Sequence, residues 1–215
     1  MKIGVFDSGV GGLSVANAIG TALPDHEVIL RDDRKHVPYG LRPPEEILGF
    51  VVPIFQELVD TGCQVIVVAC NTVTTTLIGE LRQRFKIPLV AIEPMVKPAA
   101  SLTKTKVIAV CATPTTLASS RYAQLKVEFA KDITVLEPDC SDWPVMIEDG
   151  QRDQQKIDSR ITQVLTAGAD VIVLACTHYH WIEDEITKLA KGRAQILQPE
   201  PAVIEQLKRV LARLA

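Results

Sequence analysis

The sequence has no surplus of basic residues. Its 23 Lys and Arg stand against 26 Asp and Glu in 215 residues, a formal net charge of −3. That balance excludes a protein that holds nucleic acid by bulk charge, and no nucleic-acid partner is expected. Long apolar runs are also missing. Nothing approaches the ~20 residues needed to cross a membrane, and the run Val171 to Cys176 is only strand-sized. No leader is visible either. Met1-Lys-Ile-Gly-Val-Phe-Asp7 reads as a strand entering an acidic turn, without the apolar core and cleavage site of a signal peptide. A cytoplasmic location is the expectation. Cysteine is sparse and odd in number, five residues spread along the chain. That favours free thiols in a reducing compartment over a disulfide framework. What the chain does have is apolar content. With 47% hydrophobic and 23% charged residues, it can offset the entropy of folding, which excludes disorder.

Short β-branched runs alternate with longer helical stretches. Strands are expected at Lys2 to Phe6, Val28 to Leu30, Val65 to Ala69 and Pro88 to Ile92. Helices are expected at Gly12 to Leu23, Glu45 to Thr61 and Thr75 to Phe85. Within the second of these, Ile47, Leu48, Val51, Ile54, Phe55 and Leu58 keep helical spacing. The pattern then restarts. Strands follow at Lys106 to Val110, Ile133 to Leu136, Val171 to Ala175 and Gln195 to Leu197. Helices follow at Leu117 to Ala130, Ile157 to Thr166, Glu183 to Lys191 and Ala202 to Leu214. Such β-α alternation with wholly apolar strands predicts an α/β fold of mostly parallel sheets flanked by helices.

The second half repeats the first with a shift of about 105 residues. Gly62 to Thr72 lies over Gly168 to His178, and Ile3 to Ser8 over Ile108 to Thr113. Pro38 lies over Pro144, and Glu93-Pro94 over Gln198-Pro199. Agreement in order predicts an internal duplication, hence two similar, pseudo-symmetric lobes facing each other around Ile92 to Lys97. Ligands of open α/β sheets sit beyond the carboxyl ends of the strands. Those ends carry Asp7-Ser8, Cys70-Asn71-Thr72, Thr113 and Cys176-Thr177-His178. Cys70 and Cys176 are equivalent in the repeat and should approach one bound molecule from opposite sides.

Two opposed thiols suit the inversion of a carbon. One takes a proton from one face and the other delivers a proton to the opposite face, each with its pKa brought toward the working pH. A following helix would lower a thiol pKa and bind carboxylates. Asp7, His178 and Glu148 fall near the cleft and could relay protons. A single cysteine at the end of an apolar strand is more often a buried small hydrophobe, but the paired placement favours function. Cys63, Cys111 and Cys140 lack polar neighbours and read as structural. A zinc site on Cys176, His178, His180 and Cys70 fits no common spacing, and no lysine in the cleft segments could carry pyridoxal phosphate. The glycines in Asp7-Ser-Gly-Val-Gly-Gly-Leu-Ser14 fit neither a dinucleotide fingerprint nor a P-loop. They read as a tight turn, with Ser8 in contact with ligand and backbone N–H groups available to a carboxylate. Arg31-Asp-Asp-Arg-Lys-His36 reads as a solvated loop.

Four motifs in order, Asp7-Ser-Gly-Val-Gly-Gly-Leu-Ser14, Val37-Pro-Tyr-Gly40, Ala69-Cys-Asn-Thr72 and Ala175-Cys-Thr-His-Tyr179, resemble the glutamate racemases of the Asp/Glu racemase superfamily over nearly the whole chain. His180 departs from the resemblance, which has proline at that place. The resemblance implies cofactor-independent racemisation, with Cys70 acting on the D-enantiomer and Cys176 on the L-enantiomer. It implies that Asp7, Glu148 and His178 assist the thiols. Ser8, Tyr39, Gly40, Asn71, Thr72, Thr113, Thr116 and Thr177, together with Asp7 and His178, would hold substrate. It further implies supply of D-glutamate for peptidoglycan, a homodimer, no metal, and lobes made of residues 1–94 with 198–215 and of residues 95–197. Two other functions remain open at this point. One is the same chemistry on aspartate or another small acid. The other is a two-lobed amino-acid-binding protein without turnover, for which a thiol pair would be superfluous.

Overall fold

The computed structural model describes residues 1–214. In the first half the chain runs through β1 (Lys2–Asp7), α1 (Gly12–Ala22), β2 (Glu27–Asp32), α2 (Pro44–Asp60), β3 (Val65–Val68), α3 (Asn71–Arg84) and β4 (Leu89–Ala91). The strands form a parallel sheet of order β2-β1-β3-β4. Every side chain of β3 is buried, so both faces of the sheet need cover. Successive side chains point to opposite faces. Ile66 and Val68 meet Ile47, Val51, Phe55 and Leu58 of α2 with Leu77 and Leu81 of α3. Val65 and Val67 join Ile3 and Val5 against Val15 and Ile19 of α1. Pro44 opens α2 in the first turn, where its missing N–H costs nothing.

The second half comprises α4 (Val96–Leu102), β5 (Val107–Cys111), α5 (Pro114–Ala118), α6 (Ser120–Phe129), β6 (Thr134–Leu136), α7 (Trp143–Glu148), α8 (Gln154–Thr166), β7 (Val171–Leu174), α9 (Glu183–Ala190), β8 (Gln195–Leu197) and α10 (Glu200–Leu214). Its parallel sheet has the order β6-β5-β7-β8, the same winding as the first. The registers also correspond: Ile3 pairs with Val65 as Ile108 pairs with Val171. The duplication read from the sequence is therefore a duplication of topology. After β8 the chain returns, and α10 lays Val203, Leu207 and Leu211 on the first sheet beside Ile3 and Val5.

The elements differ from expectation where short polar side chains compete with helix bonds. The helix expected over 117–130 is two helices, broken at Ser119. That residue is extended (φ −71°, ψ 145°) and its hydroxyl accepts from the Tyr122 amide at 3.2 Å, a cap that starts α6 afresh. Helix α3 begins at Asn71 rather than Thr75, so it starts directly behind Cys70. Helices α4 and α7, of 7 and 6 residues, are too short to show an apolar period. Among the described residues, no helix is long and apolar enough to cross a membrane.

Candidate active site

The carboxyl ends of β1, β3, β5 and β7 meet at one cavity between the two halves. From the first half it is walled by Ser8, Val37, Pro38, Tyr39, Gly40, Cys70, Asn71 and Thr72. From the second come Thr113, Pro144, Ala175, Cys176, Thr177 and His178. Both repeat-related prolines and both cysteines thus reach the same space. The cavity is small, with a volume of about 20 Å³, little more than the ~10–15 Å³ that one water needs. The two halves are closed upon each other.

The Cys176 side carries an ordered relay. Cys176 is 8% exposed and precedes a 3-10 segment, Thr177–Ile182. Its Sγ lies 3.7 Å from His178 Nδ1. His178 Nε2 lies 2.8 Å from Glu148 Oε1, which also accepts from the Val10 amide at 2.7 Å. An ionised carboxylate only accepts, so Nε2 carries a hydrogen toward Glu148, and Nδ1, on the Cys176 side, is the nitrogen that exchanges a proton with the sulfur. Burial works against charge on His178, but hydrogen bonds to Cys176 and Glu148 outweigh it and push its pKa up to about 10. Burial would likewise raise Glu148, yet the bonds from His178 and Val10 hold it below the usual carboxylate range.

The Cys70 side is built differently. Cys70 is 5% exposed, and its Sγ is 3.4 Å from Ser8 Oγ. Burial, and next the negative charge of Asp7, push its thiol up to about 12. A helix start is expected to supply part of a lowering of this thiol. The Val73 amide at the start of α3 does act in that direction, but desolvation is larger. Asp7 is fully buried behind the wall. Its carboxylate accepts from the Gly9 and Gly12 amides at 3.2 and 2.9 Å and from Thr177 Oγ1 at 3.1 Å. Burial raises its pKa to about 6 in spite of these bonds and of His178.

The glycine turn gains its meaning here. Its amides do point at carboxylates, but at the protein's own: Gly9 and Gly12 at Asp7, Val10 at Glu148. A Cβ on Gly9 would meet Glu148 and His178, and one on Gly11 would meet Thr177 and the His178 backbone. The glycines permit backbone of one half to pass against the other. Gly40 serves the same end, with Thr113 against its Cα and its carbonyl accepting from Thr115 Oγ1 at 2.7 Å.

The remaining polar wall is partly unpaired. Neither amide atom of buried Asn71 has a protein partner. The hydroxyls of Thr72 and Thr113 meet across the cavity at 3.0 Å, and Thr113 is followed by Thr116 at 3.0 Å. Thr116 and Asp7 are wholly buried one step behind the wall, and Glu148, partly buried, stands behind it through His178. The other residues singled out in the sequence line the cavity. Asp33 was missed. The charged stretch before Pro38 is not simply a solvated loop, because Asp33 is 8% exposed. Its carboxylate accepts from the Tyr39 hydroxyl at 2.6 Å and lies 2.8 Å from His36 Nδ1. The acidic residue six positions before a cavity tyrosine was the available signal. Among the described residues, no group of three or more His, Cys, Asp or Glu is placed to hold a metal ion.

Fold and site together define a two-lobed α/β protein with a cysteine from each lobe in its cleft. The family model described as Asp/Glu/Hydantoin racemase matches residues 13–207, and the chain belongs to that family. The chain is similar to the glutamate racemase of Ralstonia nicotianae, 38% identical over 215 residues, covering 98% of this chain and 77% of that one. Among solved structures, a glutamate racemase isoform of Bacillus anthracis is 28% identical with a TM-score of 0.84, over 99% of this chain and 82% of that one. The Escherichia coli glutamate racemase, solved with L-glutamate and the activator UDP-MurNAc-ala, gives 28% identity and a TM-score of 0.84, over 98% and 82%.

Proposed function

We propose that this chain is a glutamate racemase that inverts the α-carbon with Cys70 and Cys176 and no cofactor. The carrying observation is the placement of equivalent cysteines, one from each lobe, in one closed cavity. Starting from L-glutamate, the Cys176 thiolate takes the α-proton and becomes a thiol. The electron pair left on the α-carbon, spread into the carboxylate, is then protonated from the opposite face by the Cys70 thiol, which becomes a thiolate. The reverse reaction exchanges these roles. His178 Nδ1 accepts the Cys176 proton before the first step, and Glu148 stabilises the resulting imidazolium. Asp7 sets the charge beside Cys70, since a proton taken up by its carboxylate removes the negative charge that holds that thiol protonated. Substrate brings its own ammonium group into the cavity, which favours both thiolates. Asn71, with both amide atoms unpaired, and the hydroxyls of Ser8, Thr72, Thr113 and Thr177 are suited to the substrate's polar groups. Tyr39 and Gly40 close the wall, and Thr116 supports Thr113.

Glutamate is favoured over aspartate by the relatives at 38% identity. The reading carries with it supply of D-glutamate for peptidoglycan, a cytoplasmic setting and a homodimer. The return of α10 to the first sheet supports lobes of residues 1–94 with 198–215 and of residues 95–197. Proton NMR with L-glutamate in D₂O, with L-aspartate in parallel, tests the reading. Loss of the α-proton with accumulation of D-glutamate is expected. Exchange on aspartate alone keeps the chemistry and changes the substrate. Cys70→Ser and Cys176→Ser should each abolish racemisation in both directions, and near-wild-type turnover by either would rule out the thiol pair. A chelator should leave the rate unchanged.

A further inference from the structure

The 3-10 segment Thr177–Ile182 carries Thr177 and His178 into the cleft and is tied to the first lobe in three places. Thr177 bonds Asp7, and His178 reaches the Val10 amide through Glu148. The third tie is His180, which none of the steps above uses. Its side chain is 3% exposed. Its Nδ1 lies 3.1 Å from Ser14 Oγ on α1 and 3.1 Å from Glu200 Oε1 at the start of α10. The Ser14 hydroxyl is already spent as a donor to the Gly11 carbonyl at 2.9 Å, and Glu200 only accepts, so the His180 Nδ1 hydrogen serves both. Nε2 is buried with no partner. An imidazole held this way leaves one nitrogen unsatisfied, which is unfavourable; the bonds at Nδ1 are what the arrangement gains.

We propose that His180 is a positioning residue for the reaction, holding the Thr177–His178 turn against α1 and α10 so that His178 stays in register with Cys176. The inference rests on the proton-transfer reading of the cleft. The contact it protects is long, 3.7 Å from Cys176 Sγ to His178 Nδ1, so a small rotation of the turn breaks it. Ser14 links the same tie to Gly11, whose backbone presses on Thr177 and His178. Loss of His180 therefore removes the turn's bonds to Ser14 of α1 and Glu200 of α10 and leaves only those made by its other residues.

The test compares His180→Ala, His180→Asn, Glu200→Ala and the His180→Ala/Glu200→Ala double variant with the wild type. With His180→Ala, kcat should fall ~10–100-fold while KM stays within about twofold, the signature of misplaced chemistry. Asparagine, whose amide N–H can take the place of Nδ1, should restore most of the rate. The double variant should be no worse than His180→Ala, because the two residues act as one unit. Interconversion of enantiomers has an equilibrium constant of one, so kcat/KM must fall equally in both directions. The α-deuterium isotope effect should nevertheless split, rising for L-glutamate, whose deuterium Cys176 removes, and falling for D-glutamate. Additive losses, no rescue by asparagine, or an isotope effect that falls equally in both directions would overturn the proposal. ¹⁵N-histidine NMR of His178 gives a readout without turnover. Its ring signals should move in His180→Ala while the melting curve stays cooperative, and unmoved signals would also overturn it. An inactive wild type would refute the racemase reading, while the His178 signals would still decide the tie.

Discussion

At the residue scale, the cleft depends on charges that burial makes costly. The pKa of His178 rises from 6.5 to about 10 in the fold, so the folded protein holds this proton more tightly than the unfolded chain. The resulting stabilisation is complete below pH 6.5 and is lost as pH rises through about 10. Urea unfolding at neutral pH and near pH 10 should show a loss in the wild type that is smaller in His178→Asn. Equal losses would mean that the ring is neutral in the fold. Close approach is the other residue-level demand. Gly9→Ala places a Cβ on Glu148 and His178, and should lower kcat ~10–100-fold with little change in far-UV circular dichroism. Cys70, Cys176 and His178 were legible because their chemistry is peculiar to their side chains and the repeat put them in step. Asp33 was not, because a buried carboxylate inside a charged stretch looks like its solvated neighbours until the Tyr39 hydroxyl is placed beside it. The unpaired amide of Asn71 is also a property of the walls around it, not of its type.

At the element scale, what could be read followed from length. The strands β3 and β7 are apolar without interruption, each entered from a polar residue, Gln64 and Asp170, so both faces had to be buried and the parallel sheet followed. Helix α2 showed its stripe. Helices α4 and α7 are shorter than two apolar periods and left no stripe to read. The break at Ser119 was hidden because its neighbours keep a helical pattern and only the hydroxyl decides the cap. Ser119→Ala should cost about 1 kcal/mol. Helix α10 carries a larger share: Leu207 is wholly buried on the first sheet beside Ile3 and Val5. Leu207→Ala should cost ~2–5 kcal/mol in urea unfolding. A change within experimental error would mean that α10 is not held on the sheet in solution.

For the whole molecule, the duplication was legible because four matched stretches kept their order, and the shared sheet topology follows from it. Closure was not legible, because it rests on bonds between residues far apart in the chain, such as Thr72 with Thr113 and Val10 with Glu148. A cavity of about 20 Å³ cannot admit an amino acid, so the lobes must part in each turnover. The Val10 amide, bonded only across the cleft, should then exchange with solvent faster than the amides of β3 and slow when L-glutamate is present in excess. Protection equal to β3 without ligand would mean that the lobes do not part. How they part is set by the two passages of chain between them. One runs through Ile92 to Met95, the other through Pro199, and both border one groove on the molecule. Two pins side by side define an axle, whereas a single tether would leave a ball joint. A swing confined to that line would bring the thiols back to the same mutual alignment without any search.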